Sequence, residues 1–139
     1  MHEPGPSSAR DVLNGLATFK SKWPGGWSWD ARLDCICSSF RCDDNIIAET
    51  AIKPLFPIMW AEGNLRESPI VVQQLVERCG GLRAEQFMYC SQPVGGSFLF
   101  GLWWPWGDDV TLSFRLGLGG ASRQRDLVQL RDLFAVDLY

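Results

Sequence analysis

Histidine is nearly absent from this chain of 139 residues, and His2 is the only one. A Ser-His-Asp or Cys-His site needs an imidazole within hydrogen-bond distance of the nucleophile. His2 lies in a segment rich in proline and glycine, and we expect residues 1–7 to form a mobile tail. The sequence therefore argues against histidine-dependent nucleophilic catalysis and against histidine-ligated metal sites.

Long apolar runs are also missing. No run approaches the ~18 residues that a membrane-spanning helix needs, and the first residues lack the pattern of a secretory signal peptide. The net charge of −3 argues against a general binder of nucleic acids or anionic membranes. Five cysteines, an odd number in irregular spacing, are poor material for a disulfide framework. We expect a reduced, cytoplasmic protein.

Residues 86–118 predict a three-stranded antiparallel meander. Two turn signals place a glycine two residues after a proline, at Pro93 with Gly95 and at Pro105 with Gly107. That combination is typical of three-residue hairpin loops with a bulge. Counting back from the turns predicts that Leu102 faces Val110, Phe98 faces Phe114 and Cys90 faces Phe98.

This register divides the meander into two faces, because side chains alternate along a strand. The predicted core face is apolar and carries Met88, Cys90, Phe98, Phe100, Leu102, Val110, Leu112 and Phe114. The mixed face carries Phe87, Tyr89, Leu99, Gly101, Trp103, Asp109, Thr111, Ser113 and Arg115.

The rest of the chain predicts helices over residues 8–22, 43–53 and 68–79 and from Ser122 to about residue 134. The side chains expected to point inward are Val12, Leu16, Phe19, Trp23, Ile46, Ile47, Ala51, Val71, Val72, Leu75, Val76, Cys79, Leu127, Leu130 and Phe134. Gly80 is expected to end the third of these helices in the left-handed conformation. Residues 27–38 alternate and predict a strand, with a helix as the alternative. Residues 55–66 are apolar but irregular.

These elements predict a single α+β domain spanning residues 1–139. Its core is an antiparallel meander sheet of three to four strands, with helices packed on one face, in the order α-β-α-α-β-β-β-α. In this arrangement the mixed face has no obvious cover.

Three thiols lie close together in the sequence, at Cys35, Cys37 and Cys42. Their spacing differs from the two-residue knuckle of zinc sites, and a fourth ligand would have to come from elsewhere. Free cysteine is one of the most frequently buried residue types. We therefore interpret the cysteines as small buried hydrophobic side chains and predict no metal site and no cofactor.

A glycine-rich segment at residues 117–125 is the first candidate site. Backbone N–H groups at a helix start bind anions, and an anion there would also relieve the repulsion between arginines and the helix dipole. The candidate anion-binding residues are Arg115, Gly119, Gly120, Ser122, Arg123 and Arg125. The order strand–glycines–helix resembles the pyrophosphate loop of acetyl-CoA-dependent N-acetyltransferases, although Leu116 stands where that family has Arg or Gln. The alternative interpretation is an ordinary loop that begins a helix.

The mixed face is the second candidate site. Glycine inside a strand marks a close approach of a ligand or another chain, and Trp and Tyr are enriched at interfaces. The candidate binding residues are Phe87, Tyr89, Leu99, Gly101, Trp103 and Trp106. Three alternatives remain open: the N-terminal helix covers this face, a partner covers it, or a small molecule binds it.

The leading functional hypothesis is a non-enzymatic binding module, in the manner of small acidic bacterial proteins that neutralise a toxin or tune a partner. We expect a homodimer, with a protein partner or a small apolar ligand as further possibilities, no catalytic residue and no binding to nucleic acid or membrane. The alternative is a small-ligand protein or transferase-like enzyme that holds a phosphate-bearing group at residues 117–125. Acidic side chains at Glu49 and Glu62 qualify as general bases only if they are buried.

Overall fold

The fold is a six-stranded antiparallel sheet with helices on both faces, seen in a computed structural model that describes residues 13, 15–120 and 124–135. The strands are β1 (Ser28–Asp30), β2 (Cys35–Arg41), β3 (Ile58–Ala61), β4 (Phe87–Cys90), β5 (Ser97–Pro105) and β6 (Thr111–Gly120). The helices are α1 (Leu16–Lys22), α2 (Asn45–Ile52), α3 (Ile70–Arg78) and α4 (Gln124–Phe134). Short 3-10 turns span Cys42–Asp44 and Leu65–Glu67. The strands lie side by side in the order β1-β2-β6-β5-β4-β3.

The predicted α+β class is confirmed, but the predicted strand number and element order are wrong. Residues 27–38 are not one strand: β1 and β2 form a hairpin around residues 31–34. The carboxylate of Asp30 accepts hydrogen bonds from the backbone N–H groups of Arg32 and Leu33, at 3.0 and 3.4 Å. Asp34 then adopts a left-handed φ of 52°. A turn capped by aspartate needs neither glycine nor proline, so the alternating pattern hides it.

One strand that the sequence does not predict, β3, lies in the apolar but irregular segment 55–66. Within residues 55–66, β3 pairs with β4 at the sheet edge, where Met59 faces Tyr89 and Trp60 faces Met88. The side-chain oxygen of Asn64 accepts from the N–H of Ala61 at 2.7 Å and closes the turn after β3. An edge strand of four residues that directly follows a proline is too short to show a clear alternation.

The β4–β5 turn differs from the prediction. The chain reverses at Gly95 and Gly96, whose φ angles of 59° and 83° are both positive. Val94 and Ser97 exchange two backbone hydrogen bonds across them, at 2.8 and 3.0 Å. This is the two-residue hairpin that requires positive φ at both central positions. Cys90 therefore pairs with Phe100 instead of Phe98. The shift is even, so the predicted faces of β4 and β5 are correct.

The β5–β6 register is wrong by an odd number of residues, which reverses β6. Pro105 belongs to β5 and pairs with Leu112, while Leu102 pairs with Arg115 instead of Val110. Residues 106–110 form the loop, closed by a 2.9 Å hydrogen bond from the N–H of Trp106 to the carbonyl of Thr111. Because side chains alternate, the β6 residues assigned to each face exchange places.

Glycines opposite phenylalanines account for the observed register. Phe98 pairs with Gly119 and Phe100 with Gly117, and each ring lies where a glycine Cβ would be. On the other face of the sheet, the ring of Phe114 lies over Gly101. Gly101 is the diagonal neighbour of Phe114, because the direct cross-strand partner of Phe114 is Trp103. Rings cover strand glycines favourably because the absent side chain leaves room for them.

Both faces of the sheet are covered, which corrects the expectation of helices on one face. The three-helix face carries Leu99, Trp103, Leu112, Phe114 and Leu116 and packs against α1, α2 and α4. The one-helix face carries Met88, Cys90, Phe98, Phe100 and Leu102 and packs against α3. The supposedly open mixed face is thus part of the larger core.

Most predicted helix faces are close to those observed. Leu16, Phe19 and Trp23 are buried as predicted, and Gly80 ends α3 with a φ of 99°. In α2, however, Ala48, Ala51 and Ile52 are buried, whereas Ile46 and Ile47 are exposed. Val71 in α3 is exposed too. Val12, Ser122 and the tail 136–139 lie outside the described residues. Among the described residues, no helix has the length and apolarity to cross a membrane.

Replacing Gly101 should destabilise the sheet. The Cβ of Gly101→Ala would overlap the ring of Phe114, which is fully buried and packs against Phe19 and Trp23. We expect the free energy of unfolding to fall by about 1–3 kcal/mol in a urea titration. Gly63→Ala is the control, because its Cβ meets no atom within 4 Å. Equal effects of the two substitutions would contradict the ring-over-glycine explanation.

Candidate functional site

The predicted mixed-face residues fall into two groups. Leu99 and Gly101 are buried, and Trp103 is only 6% exposed. Phe87 and Tyr89 are half-buried, and Trp106 is half-exposed in the β5–β6 loop. The accessible aromatic surface thus lies at one end of the sheet, whereas the sequence predicts it at the centre.

At that end lies a cleft of about 450 Å³, here called the tip cleft. It opens between the start of α2 and the ends of β4, β5 and β6. Its lining residues are Cys42, Asn45, Glu49, Glu85, Phe87, Trp103, Pro105, Trp106, Asp109, Thr111 and Leu112. Three of the six predicted binding residues, Phe87, Trp103 and Trp106, are therefore brought together in it.

The aromatic wall of the tip cleft is held by the sheet. Phe87 and Trp103 are direct cross-strand partners in β4 and β5. The Trp103 ring makes edge contacts with Phe40 and Tyr89, with ring centroids 5.7 and 6.3 Å apart. Trp103 is therefore immobilised by the core.

The acidic side of the cleft comes from three separate segments. Glu49 lies on α2, Glu85 precedes β4, and Asp109 lies in the β5–β6 loop. Among the residues of this lining that the structure describes, none is a lysine, arginine or histidine. Burial and the negative charge of Glu49 both raise the pKa of the nearby Tyr89 hydroxyl. The cleft thus combines aromatic surface with negative potential.

The loop beside the cleft is ordered by Asp108. Its Oδ1 accepts from the N–H groups of Val110 and Thr111, at 3.0 and 2.9 Å, and its Oδ2 accepts from the Thr111 hydroxyl at 2.8 Å. These donors hold the pKa of Asp108 below its usual range, the Val110 N–H having the largest effect. Asp108 therefore supports the loop that carries Trp106 and Asp109.

Arg115 lies on the other side of Trp106, on the one-helix face. Its Nε forms a 3.1 Å ion pair with Asp30, and its Nη1 donates to the hydroxyl of Ser113 at 3.1 Å. The guanidinium also lies 5.2 Å from the centre of the Trp104 ring. The positive charge of Arg115 is thus engaged within the fold.

Of the candidate anion-binding residues, Arg115 lies apart from the two glycines in the same strand. Gly119 is a buried residue of β6 under the Phe98 ring, and Gly120 ends the strand. Arg115 lies four residues before Gly119, which is roughly 13 Å along an extended strand. Arg125 is exposed on α4, whereas Ser122 and Arg123 lie outside the described residues. A cavity of about 350 Å³ adjoins the two glycines, and the charged residues in the described part of its lining are Asp34 and Arg78, one of each sign.

Burial raises the pKa of four thiols, those of Cys35, Cys37, Cys79 and Cys90. Burial raises the pKa of Cys90 to about 12. Burial, and then the Asp30 carboxylate, raise that of Cys35. Cys42 lies at the tip end, where its Sγ donates to the carbonyl of Asp109 at 3.4 Å. In the part of the chain that the structure describes, no three acidic, cysteine or histidine side chains form a group that could hold a metal ion.

Sequence reasoning missed the acidic half of the cleft. Glu49 was considered only as a general base, and it is half-buried, while Glu62 is exposed. Asp109 was predicted only as a residue of the mixed face, and Glu85 was not considered. The one available signal was the proximity of Asp108 and Asp109 to Trp106, because the other two carboxylates arrive through tertiary packing.

Comparison with known proteins finds no matching family model, no similar curated protein and no matching solved structure.

The buried thiols should resist modification in the native protein. We expect Cys35 and Cys90 to react with a disulfide reagent on the order of a hundredfold more slowly than in urea, because reaction requires an accessible thiolate. Cys42, which is partly exposed, is the internal control. Peptide mapping after timed labelling measures each site. Equal rates for Cys35 in the native and unfolded chains would contradict its burial.

Acid should loosen the β5–β6 loop. The pKa of Asp108 is lowered in the folded state, so its contribution is present above the unfolded value of about 3.9 and is lost as the pH falls through the folded value. The amide signals of Val110 and Thr111 in NMR spectra should therefore shift with a midpoint below about 3.9. Asp108→Asn should abolish this transition, while Asp109→Asn should retain it. A transition that persists in Asp108→Asn would assign it to another group.

Proposed function

We propose that this protein is a non-enzymatic binding module that docks another polypeptide on the tip around Trp106. The observation that carries this proposal is a large aromatic side chain, 50% exposed, on an ordered loop. Tryptophan is among the residues most enriched at the energetic centres of protein interfaces.

The order of the loop supports the proposal. The N–H of Trp106 is bonded to Thr111, the preceding Pro105 is paired within β5, and Asp108 caps the turn. A loop whose backbone is already held in place loses little conformational entropy when it is covered, so more of the contact energy appears as affinity.

The shape of the tip gives a second argument. Trp106 and Pro105 line the tip cleft and also a shallow depression on the opposite side, together with Trp104, Gly107, Ser113 and Arg115. A protruding tryptophan flanked by two concave surfaces suits a partner that grips the hairpin end from both sides. The first partner to be tested is a second copy of the chain, in keeping with the expected homodimer.

Trp103→Ala is unsuitable as a test of docking. Trp103 belongs to the core, and removing a buried tryptophan costs about 3–5 kcal/mol of stability. A loss of association would then report unfolding.

Photo-crosslinking from position 106 tests the proposal. Benzoylphenylalanine in place of Trp106 should give one discrete crosslinked polypeptide, in cells that produce the protein or with the purified chain alone. The matched control carries the same group in place of Ile70, an exposed apolar residue of α3 on the other face. A product of twice 15.6 kDa identifies a homodimer, and a different mass identifies a heterologous partner.

The readout has a clear negative result. If position 106 yields no discrete product, or the same products as position 70, the tip is not a docking surface. Native mass spectrometry of Trp106→Ala provides the complementary check, since this variant should retain its fold and lose the complex.

A further inference from the structure

We propose that the tip cleft receives an arginine side chain of the docked partner, with the guanidinium between the aromatic wall and the carboxylates of Glu49, Glu85 and Asp109. This inference rests on the proposed function and specifies the chemistry of the partner. It follows from the charge, shape and aromatic content of one cavity.

The charge of the cavity selects the sign of its occupant. Three carboxylates from three segments line it, and none of the described residues in its lining carries a positive charge. Arg115, a nearby arginine on the opposite side of Trp106, is already paired with Asp30. An apolar occupant would bury these carboxylates without compensation, which is costly. A cation compensates them.

The walls select the kind of cation. A guanidinium is planar and stacks on tryptophan, and its N–H groups match the oxygens of carboxylates. Trp106 offers a half-exposed ring, and Glu49 and Asp109 lie in the same lining. The ammonium of lysine is more strongly hydrated and lacks the planar face. Arginine therefore uses both halves of the cleft.

The size of the cavity agrees with an inserted side chain. About 450 Å³ is near the lower end of the range for ligand pockets, which is 300–1,000 Å³. The cleft is open to solvent beside the protruding Trp106, so a chain that contacts Trp106 can extend one side chain into it. The tryptophan contact and the arginine contact thus belong to one docking event.

The test uses a capped Gly-Arg-Gly peptide and NMR detection of the tryptophan indole N–H signals. The signal of Trp106 should shift on titration and saturate with a Kd on the order of 1 mM, as expected for one side chain. The same peptide with citrulline, a neutral isostere of arginine, should bind at least roughly tenfold more weakly. A lysine peptide should fall between the two.

The protein variants separate local recognition from long-range attraction. Glu49→Gln with Glu85→Gln should weaken binding of the arginine peptide by roughly tenfold or more. The matched control is Glu67→Gln with Glu77→Gln, two exposed glutamates outside the cleft, which changes the net charge equally. The melting temperatures of both double variants report whether each fold survives.

Each outcome decides between the proposals. Equal binding of the arginine and citrulline peptides, equal weakening by the two double variants, or no shift of Trp106 would overturn the arginine inference. If any of these results is obtained while crosslinking at position 106 succeeds, the docking function is retained and only the proposed arginine of the partner is rejected. If the arginine peptide binds while crosslinking fails, the cleft binds small guanidinium compounds and the docking proposal is overturned.

Discussion

Phenylalanine rings lying over strand glycines are the contact on which this sheet depends. Gly117 and Gly119 receive the rings of Phe100 and Phe98 on one face, and Gly101 receives that of Phe114 on the other. A residue with a Cβ at these positions would displace a buried ring. The register of β5 and β6 is therefore determined by the fit of phenylalanine rings over glycines in the centre of the sheet. The length of the β5–β6 loop follows from this register.

The position of β6 has a direct consequence for the candidate site. With Phe114 and Leu112 turned toward α1 and α2, the face that carries Trp103 becomes core. The loop at the end of the hairpin lies outside this core, and Trp106 is half-exposed there. Glu49 on α2 and Asp109 in the loop are brought to the same cleft as a result. Packing in the centre of the sheet thus determines which side chains line the tip cleft at its end.

The accuracy of the sequence predictions follows the range of the interactions involved. Helix α3 and its left-handed Gly80 were predictable, because helical periodicity and a terminating glycine act within a few residues. The β5–β6 register was not, because the Asp108 cap replaces the expected Pro-Gly turn and the ring-glycine contacts join distant residues. Of the candidate site, the aromatic members Phe87, Trp103 and Trp106 were predicted, and the carboxylates were not.

The sequence by itself determined the α+β class, the antiparallel pairing and the location of most helices, since these depend on local periodicity and turn chemistry. It also identified Trp106, in the tryptophan-rich turn, as a candidate binding residue. Only the tertiary structure decided which face of β6 is buried, because a shift by an odd number of residues exchanges the faces while leaving a plausible pattern. It alone decided that α1, α2 and α4 cover the mixed face. The acidic cleft was likewise decided by packing, because its carboxylates come from segments distant in sequence.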